Sequence, residues 1–151
     1  MKTLILVRHA HALGALEAGV QKDALRPLSP QGLEKAAHTA KRLQNASCRT
    51  ERILHSPLLR AAQTADILSG ALNAPLQPCA ELNGMHDDQA VCDFLIQQMQ
   101  EANCLVAVGH NPNIAVVLHL LTGQTRHFSP GSFAILDMQN AQEPQLMSFE
   151  E

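Results

Sequence analysis

The run Thr3-Leu4-Ile5-Leu6-Val7 stops abruptly on Arg8-His9-Ala10-His11. An unbroken aliphatic and β-branched stretch of this length predicts a strand buried on both faces, as in a parallel sheet covered by helices. Such a strand delivers Arg8 and His9 at its C-terminal end, the edge where open α/β sheets bind ligands. An Arg there offers a planar fork of donors suited to phosphate. A His offers a neutral ring nitrogen near pH 7, able to act as a nucleophile.

Further along, Ile53–His55, Leu76–Cys79 and Leu105–Val108 read as strands, with Leu76–Cys79 at an edge because Pro75 and Pro78 flank or interrupt it. Residues 11–28 lack a clean period and contain Gly14 and Gly19, so they read as a long surface loop with a helical turn around Ala15–Ala18. Three polar-Pro pairs, Ser29-Pro30, Ser56-Pro57 and Asn111-Pro112, read as helix starts. The first precedes a stripe of Leu33, Ala36, Ala37, Ala40 and Leu43; the second, Leu58, Ala61, Ala62, Ala65, Leu68 and Leu72; the third, Ile114, Val117, Leu118 and Leu121. Asp88 is expected to cap a further helix running to about Gln100, with Val91, Leu95 and Met99 inward. Phe133–Met138 and Gln145–Phe149 close the chain as a hairpin. Strands alternating with helices imply an α/β fold: a three-layer α/β/α sandwich with a mostly parallel central sheet and helices on both faces, in a single domain spanning residues 1–151. Helix N-termini gathered at one sheet edge favour anions.

Composition narrows the partners. The net charge is −3 with no basic run, and Trp and Tyr are absent, so neither a nucleic-acid backbone nor stacked bases are expected as ligand. The four Cys, at positions 48, 79, 92 and 104, show no C-x-x-C spacing, which points to reduced thiols and a cytoplasmic address. The first apolar run is too short for a signal segment and no stretch reaches membrane-span length, so no membrane partner is expected. His9 and His11 could suggest a metal pair, but no carboxylate or thiol stands near in sequence, so no metal and no cofactor are expected. His38, His55, His86, His119 and His127 read as surface or satisfied core residues, and Phe128, Phe133 and Phe149 as packing. No interface stripe stands out to set an oligomeric state.

Arg8, His9, Arg60 and His110 all stand at or just past predicted strand ends. Two Arg and two His around helix N-termini make a site for a doubly charged tetrahedral anion, with one His placed to attack phosphorus and the other to bond phosphoryl oxygens. Singly, each of the four is as well read as a solvated strand end or a surface helix residue; together they make a site.

The stretches Leu6-Val7-Arg8-His9-Ala10, Arg26-Pro27-Leu28-Ser29-Pro30-Gln31-Gly32, Ser56-Pro57-Leu58-Leu59-Arg60-Ala61-Ala62-Gln63-Thr64-Ala65 and Val108-Gly109-His110-Asn111-Pro112 resemble, in order and spacing, the histidine phosphatase superfamily. Within it they are most similar to the small SixA-type phosphohistidine phosphatases. The resemblance implies a phosphoglycerate mutase-like fold and a metal-independent phosphatase working through a phosphohistidine on His9. It further implies that Arg8, Arg60 and His110 hold the phosphate, that Arg26 lies near the pocket, and that Asn111 offers a backbone N–H. Ala10 departs from the Gly of the broad superfamily, as SixA-type members often do. Glu81 is the candidate general acid, with Asp87 as the fallback.

A site poor in acids suits phosphoramidates. General-acid help contributes roughly 10²–10⁴-fold where an alkoxide must leave, whereas a phosphorylated imidazole leaves as neutral histidine with a pKa of about 6.5. The expected activity is therefore hydrolysis of phosphohistidine on proteins. The alternatives are a phosphomonoesterase of small phosphorylated metabolites, a mutase, and a non-catalytic module that binds phosphoproteins.

Overall fold

Thr3–Arg8 forms strand β1, near the centre of a six-stranded sheet in the computed structural model, which describes residues 2–46 and 48–151. The remaining strands are β2 (Arg52–His55), β3 (Leu76–Pro78), β4 (Cys104–Gly109), β5 (Phe133–Asp137) and β6 (Gln145–Glu150). Their order is β3-β2-β4-β1-β5-β6. The first four run parallel, while β5 pairs antiparallel with β1 and β6 antiparallel with β5.

Helices cover both faces, and the strand alternation decides what they bury. Leu4, Leu6, Leu54, Leu105 and Ala107 pack under α4 (Asp88–Met99) and α5 (Asn113–Thr122). Ile5, Val7, Ile53, Val106 and Val108 pack on the other face under α2 (Pro30–Gln44) and α3 (Leu59–Leu72). Successive strand residues thus feed two separate cores, which is why β1 and β4 are continuously apolar. Between β1 and α2 lie a short helix α1 (Ala15–Ala18) and a 3-10 turn (Asp23–Leu25), as a loop of this length with one helical turn led us to expect.

Several local expectations shift. Ser29 caps α2, accepting from Gly32 N, with Pro30 in the first turn. Ser56 and Asn111 do not cap their helices: α3 begins only at Leu59 after Leu58, and α5 at Asn113 after Pro112. Ser56 Oγ is bonded to a histidine ring, and its backbone N donates to Val108 O, so it belongs to the sheet edge rather than to the helix. Asp87, one residue ahead of the expected Asp88, caps α4 by accepting from Ala90 N. In α2 the buried stripe is Gly32, Ala36, Thr39, Ala40 and Leu43; Leu33 and Ala37 face solvent. Thr39 wins an inward place because its hydroxyl donates to the buried Gly131 carbonyl at 2.7 Å. In α3, Ala62 and Leu72 are only half-buried, and Arg60 and Thr64 are buried in the helix instead.

Register sets the working edge. Arg8 lies opposite Gly109, and His55 opposite Val108, so the residues that follow, His9, Ser56 and His110, emerge side by side. The loop from β1 is clamped there by Gly32, whose added Cβ would lie 2.0 Å from the His11 carbonyl oxygen. Gly32→Ala should therefore destabilise the protein by about 1–3 kcal/mol through overpacking. Gly70, in α3 with nothing within 4 Å of its Cβ position, should give the opposite sign, with Gly70→Ala stabilising by about 0.5–1 kcal/mol. Urea denaturation midpoints of the two variants check this, and equal effects would refute the clamp.

Candidate active site

Four sheet-edge contacts hold the site. Arg8 N donates to Ser132 O and His9 N to Gly109 O, locking the end of β1 between the β5 side and β4. Ala10 N donates to Thr64 Oγ1, which in turn donates to Arg60 O, so the turn after β1 is tied to the first turn of α3. Ala10 is wholly buried, leaving its methyl packed with Leu28 and Ala36.

The four residues singled out from the sequence come together. The His9 and His110 rings stand edge-to-face with centroids 5.1 Å apart. The Arg8 and Arg60 guanidinium groups act on both rings, and with burial, the larger cause, they push His9 down to about 3 and His110 to about 4. Burial also lowers Arg8, which stays charged. Both imidazoles are therefore neutral at pH 7.

His9 Nδ1 lies 2.7 Å from its neighbour's carbonyl, Ala10 O. A carbonyl only accepts, so Nδ1 carries the hydrogen and Nε2 keeps an unshared pair. Arg8 donates through Nη1 to Phe128 O at 2.7 Å, an anchor held by a fully buried ring. Its Nε, together with His110 Nδ1 and Asn111 Oδ1, is buried without a partner. An unpaired buried donor costs about 1–3 kcal/mol. Arg8 Nε is such a donor, and with the Arg60 guanidinium acting on the same two rings the site is short of anionic acceptors, which is what a tetrahedral oxyanion supplies.

Arg60 is held from the loop. Asp23 O accepts from its Nη1 at 2.9 Å and Asp23 Oδ2 from its Nη2 at 3.0 Å. Asp23 Oδ1 accepts from Arg26 Nη1 at 2.9 Å, and Arg26 Nε donates to Leu13 O. The two guanidinium groups hold the Asp23 carboxyl below its ordinary range. Arg26 thus joins the site through Asp23, at its rim. Asp23, Ser56, Thr64 and the Phe128 carbonyl escaped the sequence reading. Only the Asp23-x-x-Arg26 spacing carried a local signal, and backbone carbonyls carry none.

Glu81 is half-buried on a 3-10 turn (Ala80–Leu82) and lines a cleft with Gly84, His86, Gly109, His110 and Ile114. Gly84, at φ 86°, turns that segment over His110, with its Cβ position 3.5 Å from the ring. Asp87 is exposed and occupied as the α4 cap. His11 Nδ1 is bonded to Ser29 Oγ at 2.7 Å, away from His9's carbonyl partner. Among the described residues no three His, Cys, Asp or Glu stand together as metal ligands, and no helix is long and apolar enough to cross a membrane.

The sequence profile described as the histidine phosphatase superfamily (branch 1) matches residues 4–90. Phosphohistidine phosphatase SixA of Escherichia coli is 33% identical over 126 residues, covering 81% of this chain and 76% of that protein. An uncharacterised protein of Picosynechococcus sp. is 34% identical over 122 residues, covering 78% of this chain and 73% of that one. Among solved structures, the protein histidine phosphatase SixA complexed with tungstate superposes with a TM-score of 0.87 at 24% identity, over 99% of this chain and 96% of that chain. At that identity the likeness is one of fold, and it extends to the antiparallel pair that closes the sheet.

The depressed histidines set a pH dependence. Below pH 6.5 an unfolded chain takes up protons that the folded His9 and His110 refuse until about pH 3 and 4, so stability falls as pH drops through that window. The loss should be on the order of 1 kcal/mol per histidine between pH 6.5 and 5. Replacing both residues by Asn should flatten the profile; an unchanged slope in urea titrations would contradict the neutral assignment.

Proposed function

The chain belongs to the histidine phosphatase superfamily, and from that premise we propose that it hydrolyses phosphohistidine on proteins through a phosphoenzyme formed on His9. The observation that carries the reading is the hydrogen bond from His9 Nδ1 to Ala10 O, which leaves an unprotonated Nε2 beside His110. In the first displacement Nε2 attacks phosphorus and the phosphorus–nitrogen bond to the substrate imidazole breaks. The substrate ring keeps the proton on its other nitrogen and departs as neutral histidine. His9 becomes a phosphorylated imidazolium whose Nδ1–H still donates to the Ala10 carbonyl. In the second displacement water attacks that phosphorus, His9 takes back the bonding pair, and inorganic phosphate leaves.

Arg8, Arg60 and His110 hold the phosphoryl oxygens in this scheme, Arg26 and Asp23 steady Arg60 from the rim, and the backbone N–H of Asn111 adds a donor. The relative's printed activity, dephosphorylation of phosphohistidine, agrees with a pocket whose acidic side chain, Glu81, stands on the cleft wall and makes no ion pair with Arg8 or Arg60. Small phosphomonoesters and a purely binding role are not favoured: the former need a strong acid at the leaving group, and the latter leaves the free Nε2 without a task.

His9→Ala should abolish turnover and the alkali-stable, acid-labile label that ³²P-phosphohistidine protein would otherwise leave on the chain. Full turnover by that variant would refute the nucleophile. Glu81→Gln should slow hydrolysis of an alkyl phosphate ester by about 10²-fold or more while changing phosphohistidine hydrolysis only a few-fold. Equal losses on both substrates would remove Glu81 from its assigned place as the proton donor for poor leaving groups.

A further inference from the structure

The hydrogens around Ser56 can be assigned by counting. Its side chain is wholly buried at the C-terminal end of β2. Ser56 Oγ accepts from Leu58 N at 3.2 Å and lies 2.7 Å from His110 Nε2. A hydroxyl has one hydrogen to give, and one sealed from water cannot leave it unpaired cheaply. Among the described residues no other acceptor is bonded to this hydroxyl, so the hydrogen goes to His110 Nε2.

That places the ring's own hydrogen. A neutral imidazole carries one N–H, and Nε2 is occupied as an acceptor, so the hydrogen sits on Nδ1. His110 Nδ1 is buried with no partner. The reverse tautomer would orphan the serine hydrogen and leave a lone pair, rather than a donor, at the buried Nδ1. We propose that Ser56 is a positioning residue that sets the tautomer of His110, so that its Nδ1–H is presented as a ready donor to a phosphoryl oxygen.

The two histidines then share one tautomer but expose opposite ends. His9 spends its Nδ1–H on the Ala10 carbonyl and exposes a lone pair. His110 spends its Nε2 lone pair on Ser56 and exposes an N–H. One ring is thereby a nucleophile and its neighbour a donor, although both are neutral and 5.1 Å apart. The assignment of hydrogens stands on the Ser56 hydrogen-bond geometry and a neutral ring; its effect on turnover rests on the proposed phosphatase reaction.

The test is imidazole ¹⁵N NMR of the unliganded wild-type protein at pH 7, followed by kinetics. His110 should show a protonated Nδ1 and an unprotonated Nε2. In Ser56→Ala the His110 signals should move toward the Nε2–H form that free histidine prefers, while the His9 shifts stay in place and report an intact edge. Inhibition by inorganic phosphate should weaken. The kcat for phosphohistidine protein should fall about 10- to 100-fold, less than the 10²–10³-fold that follows outright removal of an oxyanion-hole donor. Ser56→Thr, which keeps a hydroxyl, should restore the wild-type tautomer and most of kcat. A wild-type His110 protonated on Nε2, or a folded Ser56→Ala with unchanged kcat and phosphate inhibition, would overturn the proposal. Failure of the wild type to turn over any phosphohistidine protein would instead overturn the reaction, and would leave the NMR and phosphate-binding arms to judge Ser56.

Discussion

Parallel pairing of β1 with β4 is the constraint on which the rest of the molecule depends. The register that sets Arg8 opposite Gly109 brings residues about a hundred positions apart in sequence to one edge. Because both strands are buried on both faces, their pairing cannot slip by one residue without turning each core-facing side chain to the wrong helix layer. The packing of two apolar cores thus doubles as the device that aligns His9 with His110. Ser132 and Gly131 from the β5 side and Thr64 from α3 add polar ties to the same edge.

The edge is electrostatically unfinished. Two guanidinium groups and two neutral rings share a cavity, and the carboxylate nearest to them, Asp23, sits on the rim between Arg60 and Arg26 rather than among them. Native interiors satisfy nearly all their buried polar atoms, so orphaned Arg8 Nε and His110 Nδ1 mark a place where stability has been given up. An oxyanion supplies both missing acceptors and offsets the positive charge that, second to burial, holds the imidazoles unprotonated. Burial and those same charges keep a lone pair on His9, so the groups proposed to bind phosphate also help prepare the proposed nucleophile.

Much of this was legible from patterning. Continuous aliphatic runs marked β1 and β4, and the apolar stripes marked α3 and α5, because burial and periodicity are local properties of a sequence. The convergence of Arg8, His9, Arg60 and His110 followed from strand ends sharing one edge. Two of the misreadings share a cause. Ser-Pro and Asn-Pro resemble helix caps, yet Ser56 was claimed by the His110 ring and the helices began three residues after Ser56 and two after Asn111. Leu33 was expected inward on hydrophobicity, but the buried carbonyl of Gly131 drew Thr39 to that face instead. At Ser56 and Thr39 a long-range hydrogen bond outweighed a local preference.

Sequence by itself determined the layer order, the strands that could be central, and the side chains able to handle a phosphoryl group, since these follow from residue type and spacing. Tertiary structure alone decided which nitrogen each histidine exposes, that Asp23 braces Arg60 from the loop, and that Ser56 serves the second imidazole. Those outcomes depend on carbonyls, hydroxyls and burial contributed by segments distant in the chain. No property of an isolated residue encodes the direction of a hydrogen bond that forms only when the sheet edge is assembled.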